Sequence, residues 1–220
     1  MNQEKLNKCI DYLKQKYHPV DAIILHGSRA SGYARELSDW DFMVLTEHNV
    51  NQKQHRDNIA GEEIEFEVFQ LPIENKDIFS KFNTKLKHAK AVYDENGNAQ
   101  VLIDEAQKIY QAGITEEEVT GARLLSQRHY LLSALGGMKD SVDNPAMFMK
   151  KLGTFYPRII NIWYKFKERS YSDNIYLSIP YLQSKDPEFA ETLKIVYSLD
   201  TTPIQKIEAS EKLIKIVFEN

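Results

Sequence analysis

The stretch from Ala22 to Leu45 constrains this chain more than any other. An apolar run, Ala22-Ile23-Ile24-Leu25, leads into His26-Gly27-Ser28; a polar segment follows, and Asp39-Trp40-Asp41 opens a second apolar run, Phe42-Met43-Val44-Leu45. Short apolar runs bounded by turn residues are the pattern of buried strands. The spacing predicts strands over 21–25 and 39–45, a turn at Gly27-Ser28, and two helical turns over 28–36.

Residues two apart on a strand face the same way. Asp39 and Asp41 are therefore predicted to project together, with Trp40 and Phe42 turned into the core. Two adjacent carboxylates repel unless a cation lies between them or one is protonated. Hard oxygen ligands of this kind suit Mg²⁺, which takes one or two carboxylates together with substrate phosphates. Glycine lets the backbone come close to a ligand, and the free N–H groups of a helix start attract a phosphate. A triphosphate on Gly27-Ser28 beside metal on Asp39 and Asp41 is the arrangement of metal-assisted nucleotidyl transfer. A third carboxylate is expected from the segment 61–71. There Ile64, Phe66 and Val68 alternate with Glu65, Glu67 and Phe69. Glu65 is preferred because it follows the first apolar residue of the strand, with Glu67 as the fallback.

The remaining segments organise around this unit. Leu6, Ile10, Leu13 and Tyr17 fall at helical spacing over 2–17, closed by His18-Pro19. The polar segment 47–57 reads as a loop, 74–89 as an amphipathic helix, 91–93 as a short strand, and 99–111 as a helix with Gly113 just beyond its end. Thr115 and Glu118 form a capping-box pattern, with Ile114 and Val119 as its hydrophobic staple. Alternating patterns then cease. Helices are expected over 115–135, 145–168, 186–198 and 203–218, with loop signals at Gly136-Gly137, at 170–174 and at Pro180. The fold expected is α+β: a small mixed sheet with helices over 1–112, then an all-α helical bundle over 113–220.

Composition narrows the partners. The formal net charge is -4 and neither half of the chain is basic, which argues against a nucleic-acid partner. The one cysteine, Cys9, permits no internal disulfide. No apolar run reaches membrane-spanning length, so a cytoplasmic protein without membrane contact is expected.

The run Gly27-Ser28-Arg29-Ala30-x-Gly32, then Ser38-Asp39-x-Asp41, then an acidic residue on a later strand, resembles the nucleotidyltransferase superfamily with the DNA polymerase beta-like core. It looks most like the bacterial aminoglycoside and lincosamide nucleotidyltransferases and the small "minimal" nucleotidyltransferases. A glutamate in third place departs from the commoner aspartate. The resemblance implies Asp39, Asp41 and Glu65 as catalytic metal ligands for Mg²⁺, and Gly27, Ser28, Arg29 and Ser38 as the nucleotide-binding set. It implies transfer of a nucleoside monophosphate, AMP from ATP, to a hydroxyl of a small-molecule acceptor such as an antibiotic. The second domain would bind substrate or dimerise, since relatives often hold substrate between two subunits of a homodimer. Two alternatives stand beside this reading: an antitoxin-type enzyme that adenylylates a protein, and a nucleotide-binding module without turnover. Arg29 and Arg35 could flank and bind the phosphates, although an arginine on a short surface helix is more ordinarily solvated, and His26 is expected to be structural.

Overall fold

The computed structural model describes residues 2–48, 54–73, 85–114, 121–170, 172 and 175–219. The chain separates into two compact units, Met1–Ala112 and Gly113–Asn220.

The first unit begins with helix α1 (Gln3–Lys16). The Asn2 side chain caps it by accepting from the Lys5 N–H. Its buried residues, Leu6, Cys9 and Leu13, lie on one face. Strands β1 (Ala22–His26), β2 (Trp40–Thr46), β3 (Gln54–Ile59), β4 (Glu62–Gln70) and β5 (Lys90–Asp94) form one sheet in the order β3-β4-β2-β1-β5. Only the β2–β4 pair is parallel; β1 runs antiparallel to β2 and β5, and β3 antiparallel to β4. One face of the sheet, built from Ile23, Leu25, Trp40, Phe42, Val44, Ile64, Phe66 and Val68, packs against Leu6, Cys9 and Leu13 of α1. Trp40 and Phe42 are thus in the core, as their spacing predicts. Helix α3 (Asn98–Ala112) packs on β1, β5 and a short 3-10 turn at Lys85–His88.

Three local expectations are corrected. The helical segment after β1, α2, is a single turn, Gly27–Ser31, instead of two turns over 28–36. It stops at Gly32, whose φ of 85° supplies a left-handed cap, and the Ser31 hydroxyl bonds back to the carbonyls of Gly27 and Ser28. The segment 47–57, read as loop, contains most of β3. Of the helix expected over 74–89, residues 74–84 lie outside the described residues, and 85–88 form a 3-10 turn.

The second unit, as described, is helical: α4 (Gly121–Lys139), α5 (Pro145–Lys167), α6 (Ile175–Lys185), α7 (Pro187–Tyr197) and α8 (Pro203–Phe218). Phe155, Ile159, Trp163, Phe189 and Leu213 are central to its apolar core. Three helices open on a side-chain cap followed by proline: Asn144 before α5, Asp186 before α7, and Thr202 with Gln205 as a full capping box before α8. Lys206 is buried and donates to the Val196 carbonyl (3.0 Å), the Ser198 carbonyl and the Thr201 hydroxyl (2.9 Å), closing the end of α7. The Gly136-Gly137 loop signal is overturned, since both glycines lie inside α4. A Cβ on Gly137 would come within 2.8 Å of the Lys151 side chain, so that lysine lies across the helix at this glycine. Pro180 likewise lies within α6. The Thr115–Glu118 capping box falls outside the described residues.

Candidate active site

The pairing of β1, β2 and β4 assembles the site. Asp41 sits one residue into β2, opposite His26 on β1 and Glu65 on β4. Paired residues share a sheet face, so His26, Asp41 and Glu65 project on the face away from α1. Glu67 stands opposite Met43, two residues further along β4. Asp39 lies in the segment entering β2.

Gly27 begins α2 directly after His26, with φ of 67°. A Cβ at this position would fall 2.0 Å from Asp41 Oδ2. The backbone of the turn therefore rests on the carboxylate of the next strand, and glycine is required on two counts, conformation and space. Ser28 follows, half-buried, in the same turn. The structure thus brings Gly27-Ser28 and Asp39-Trp40-Asp41 together at one end of the central strands β1 and β2, although ten residues lie between Ser28 and Asp39.

Arg29 and Ser38 hold the segment entering β2 in shape. The Arg29 guanidinium donates from Nε to the Asp39 carbonyl (3.0 Å) and from Nη2 to the Ser38 carbonyl. It stacks on the Trp40 ring at 4.3 Å and lies 3.6 Å from Glu62 Oε2. The Ser38 hydroxyl accepts from the Arg35 N–H at 2.9 Å. Through these bonds both residues, expected from the resemblance to bind nucleotide, hold the loop that delivers Asp39.

The electrostatics are those of crowded carboxylates. Burial pushes the Asp41 carboxyl up to about 6, and the charges of Asp39 and Glu65 add to the rise; Lys85 and Arg56 oppose it. Burial also holds His26 down at about 4, with Lys85 acting in the same direction and Glu65 against it. His26 is thus neutral near pH 7, which fits a structural role.

Two cations missed in the sequence reading meet the glutamates of β4. Arg56 on β3 donates from Nε to Glu65 Oε2 at 2.8 Å, with Nη2 at 2.6 Å from the same oxygen. Lys85 donates to Glu67 Oε1 at 2.8 Å. A signal for Arg56 was present. Ile59 pairs with Glu62, leaving Ala60-Gly61 as a two-residue turn with φ of 53° and 84°, and Asn58 accepts from the Gly61 N–H. Such a turn implies a hairpin, and counting back from it sets Arg56 opposite Glu65. Lys85 follows the undescribed segment 74–84 and offered no comparable signal.

Among the described residues no three His, Cys, Asp or Glu side chains are grouped closely enough to hold a metal ion as they stand. The donor set nonetheless fits a hard divalent cation. It consists of carboxylates alone, and one of them, Asp41, is raised by burial and by its negative neighbours Asp39 and Glu65, a repulsion that a cation would relieve.

Residues 7–106 match the family model described as "Polymerase beta, Nucleotidyltransferase". A solved structure described as a nucleotidyltransferase-like protein from Exiguobacterium sibiricum 255-15 is similar in fold, with a TM-score of 0.50 at 9% sequence identity. The likeness covers 99% of this chain and 75% of that one. No curated protein matches the chain by sequence.

Proposed function

Since residues 7–106 form a domain of the nucleotidyltransferase superfamily, we propose that this protein transfers a nucleoside monophosphate, AMP from ATP, to a hydroxyl of a small-molecule acceptor. The observation that carries the proposal is the seating of Gly27 on Asp41, with Glu65 opposite in the parallel register. That arrangement joins a backbone turn suited to phosphates with carboxylates suited to a divalent ion.

Each part has a role on this reading. The turn at Gly27-Ser28 receives the β- and γ-phosphates. Because α2 is a single turn, the local N–H groups matter here and a long helix dipole does not. Asp39, Asp41 and Glu65 would hold Mg²⁺, with Glu65 favoured over Glu67 because it lies level with Asp41. Bound there, the ion supplies charge stabilisation for the attacking and leaving oxygens. Arg29 and Ser38 fix the approach of Asp39. The acceptor oxygen bonds to the α-phosphorus, the bond from that phosphorus to the bridging oxygen breaks, and pyrophosphate leaves as the hydroxyl gives up its proton. The helical unit would contribute acceptor binding or a dimer contact.

The reading is tested by incubating the protein with Mg²⁺, α-labelled ATP and a panel of aminoglycosides, lincosamides and cell-extract fractions. Label on a small molecule supports it. Label on a protein band would favour the protein-adenylylating alternative, and nucleotide binding with no label transferred would favour a non-catalytic module.

A further inference from the structure

The strand β3 brings a cation to the site that neither the motif nor the family match assigns a role. Arg56 and Glu65 are directly opposite in the β3–β4 ladder, the geometry in which cross-strand side chains meet. The partners differ sharply in exposure: the Arg56 side chain is 78% exposed and that of Glu65 16%. The guanidinium thus covers the carboxylate from the solvent side, with Nε and Nη2 both directed at Oε2.

We propose that Arg56 is a displaceable counter-ion, which holds the Glu65 carboxylate in the metal-free protein and competes with the divalent cation for it. The inference rests on the assignment of Glu65 as third metal ligand. Three physical points support it. An ion pair with a well-exposed arginine is weak, so it yields to a doubly charged ion. In the free protein the pair offsets repulsion among Asp39, Asp41 and Glu65, keeping Glu65 ordered without locking it. The charges also count in favour: a divalent cation replaces the single positive charge of Arg56, and the released guanidinium remains at the β3 side of the site. Arg56 is on this account a positioning residue that acts through Glu65. It tunes how readily the site loads, and it takes no part in the chemistry.

The probe is Mn²⁺, titrated by electron paramagnetic resonance without nucleotide into the full chain. Arg56→Gln should bind Mn²⁺ about two- to fivefold more tightly than the wild type, the range set by a weak exposed pair. Arg56→Lys should remain near the wild type. Glu65→Gln should bind more weakly, and adding Arg56→Gln to it should change nothing further. A purely supporting role for Arg56 would weaken binding in Arg56→Gln, and that result, or unchanged binding, overturns the inference. Equal Mn²⁺ binding by the wild type and by Asp39→Asn/Asp41→Asn would instead overturn the assignment of the site itself.

Discussion

Replacing Asp41 with asparagine should stabilise the metal-free protein at neutral pH while removing its response to divalent cations. Burial and the charges of Asp39 and Glu65 raise the Asp41 carboxyl from an ordinary 3.8 to about 6. A shift of about two units corresponds to at most ~3 kcal/mol. The carboxyl keeps part of its contact with water, which screens the effect, so ~1 to 1.5 kcal/mol is the working magnitude. The sign follows from proton counting. Between the ordinary carboxylate range and about 6, the folded protein retains a proton that the unfolded chain has lost, so stability falls as pH rises through that window. The penalty is complete above it and absent below about pH 4. For a chain of this size the gain in Asp41→Asn is about 3–5 °C in melting temperature. The assay is calorimetric unfolding of both proteins in chelator at about pH 7.5 and about pH 4, then at the higher pH with Mg²⁺. The variant should melt higher at pH 7.5 and match the wild type at pH 4. Magnesium should raise the wild type alone. A gain equal at both pH values, or a variant less stable at pH 7.5, would refute the electrostatic reasoning.

Three further outcomes are expected. Gly27→Ala places a Cβ 2.0 Å from Asp41 Oδ2 at a φ of 67°, so it should cost about 2 kcal/mol or more in denaturant unfolding and abolish Mg²⁺-dependent nucleotide binding. Arg29→Lys cannot reproduce the forked contact with the Ser38 and Asp39 carbonyls. It should lower both melting temperature and transfer rate, by about 2 kcal/mol in stability, measured by thermal unfolding beside the transfer assay. Lys206→Met leaves the Val196 and Ser198 carbonyls without their ammonium partner; it should destabilise by about 2 kcal/mol in calorimetry with Mn²⁺ binding unchanged.

The elements that sequence made legible are those in which burial dictates pattern. β1 and β2 are apolar runs because both faces of the central strands are covered, and the alternation of β4 reports one core face against one carboxylate face. What escaped was set by tertiary context. β3 is an edge strand, polar from Gln54 to Asn58 with Ile59 its one apolar residue, so its periodicity carries little apolar signal; its hairpin turn at Ala60-Gly61 was the readable clue. Gly136-Gly137 looks like a break in isolation, yet it lies inside α4 between Leu135 and Met138, both buried in the core, so tertiary packing overrides the weak helix propensity of glycine. The same holds at the site. The carboxylates Asp39, Asp41 and Glu65 were visible as a pattern of residue types. The roles of Arg29 and Ser38 were not, because hydrogen bonds from a side chain to a backbone carbonyl leave no mark on residue spacing.

In the proposed reaction, Gly27-Ser28 and the three carboxylates move a nucleotidyl group. The most direct measurement follows ATP labelled separately on the α- and γ-phosphorus, incubated with Mg²⁺ and an acceptor-containing cell extract, for the wild type and for Asp39→Asn/Asp41→Asn. With the wild type the α-label should join an acceptor and the γ-label should leave in pyrophosphate, and neither should happen with the double variant. Transfer of the γ-label to acceptor, or full α-label transfer by the double variant, would contradict it.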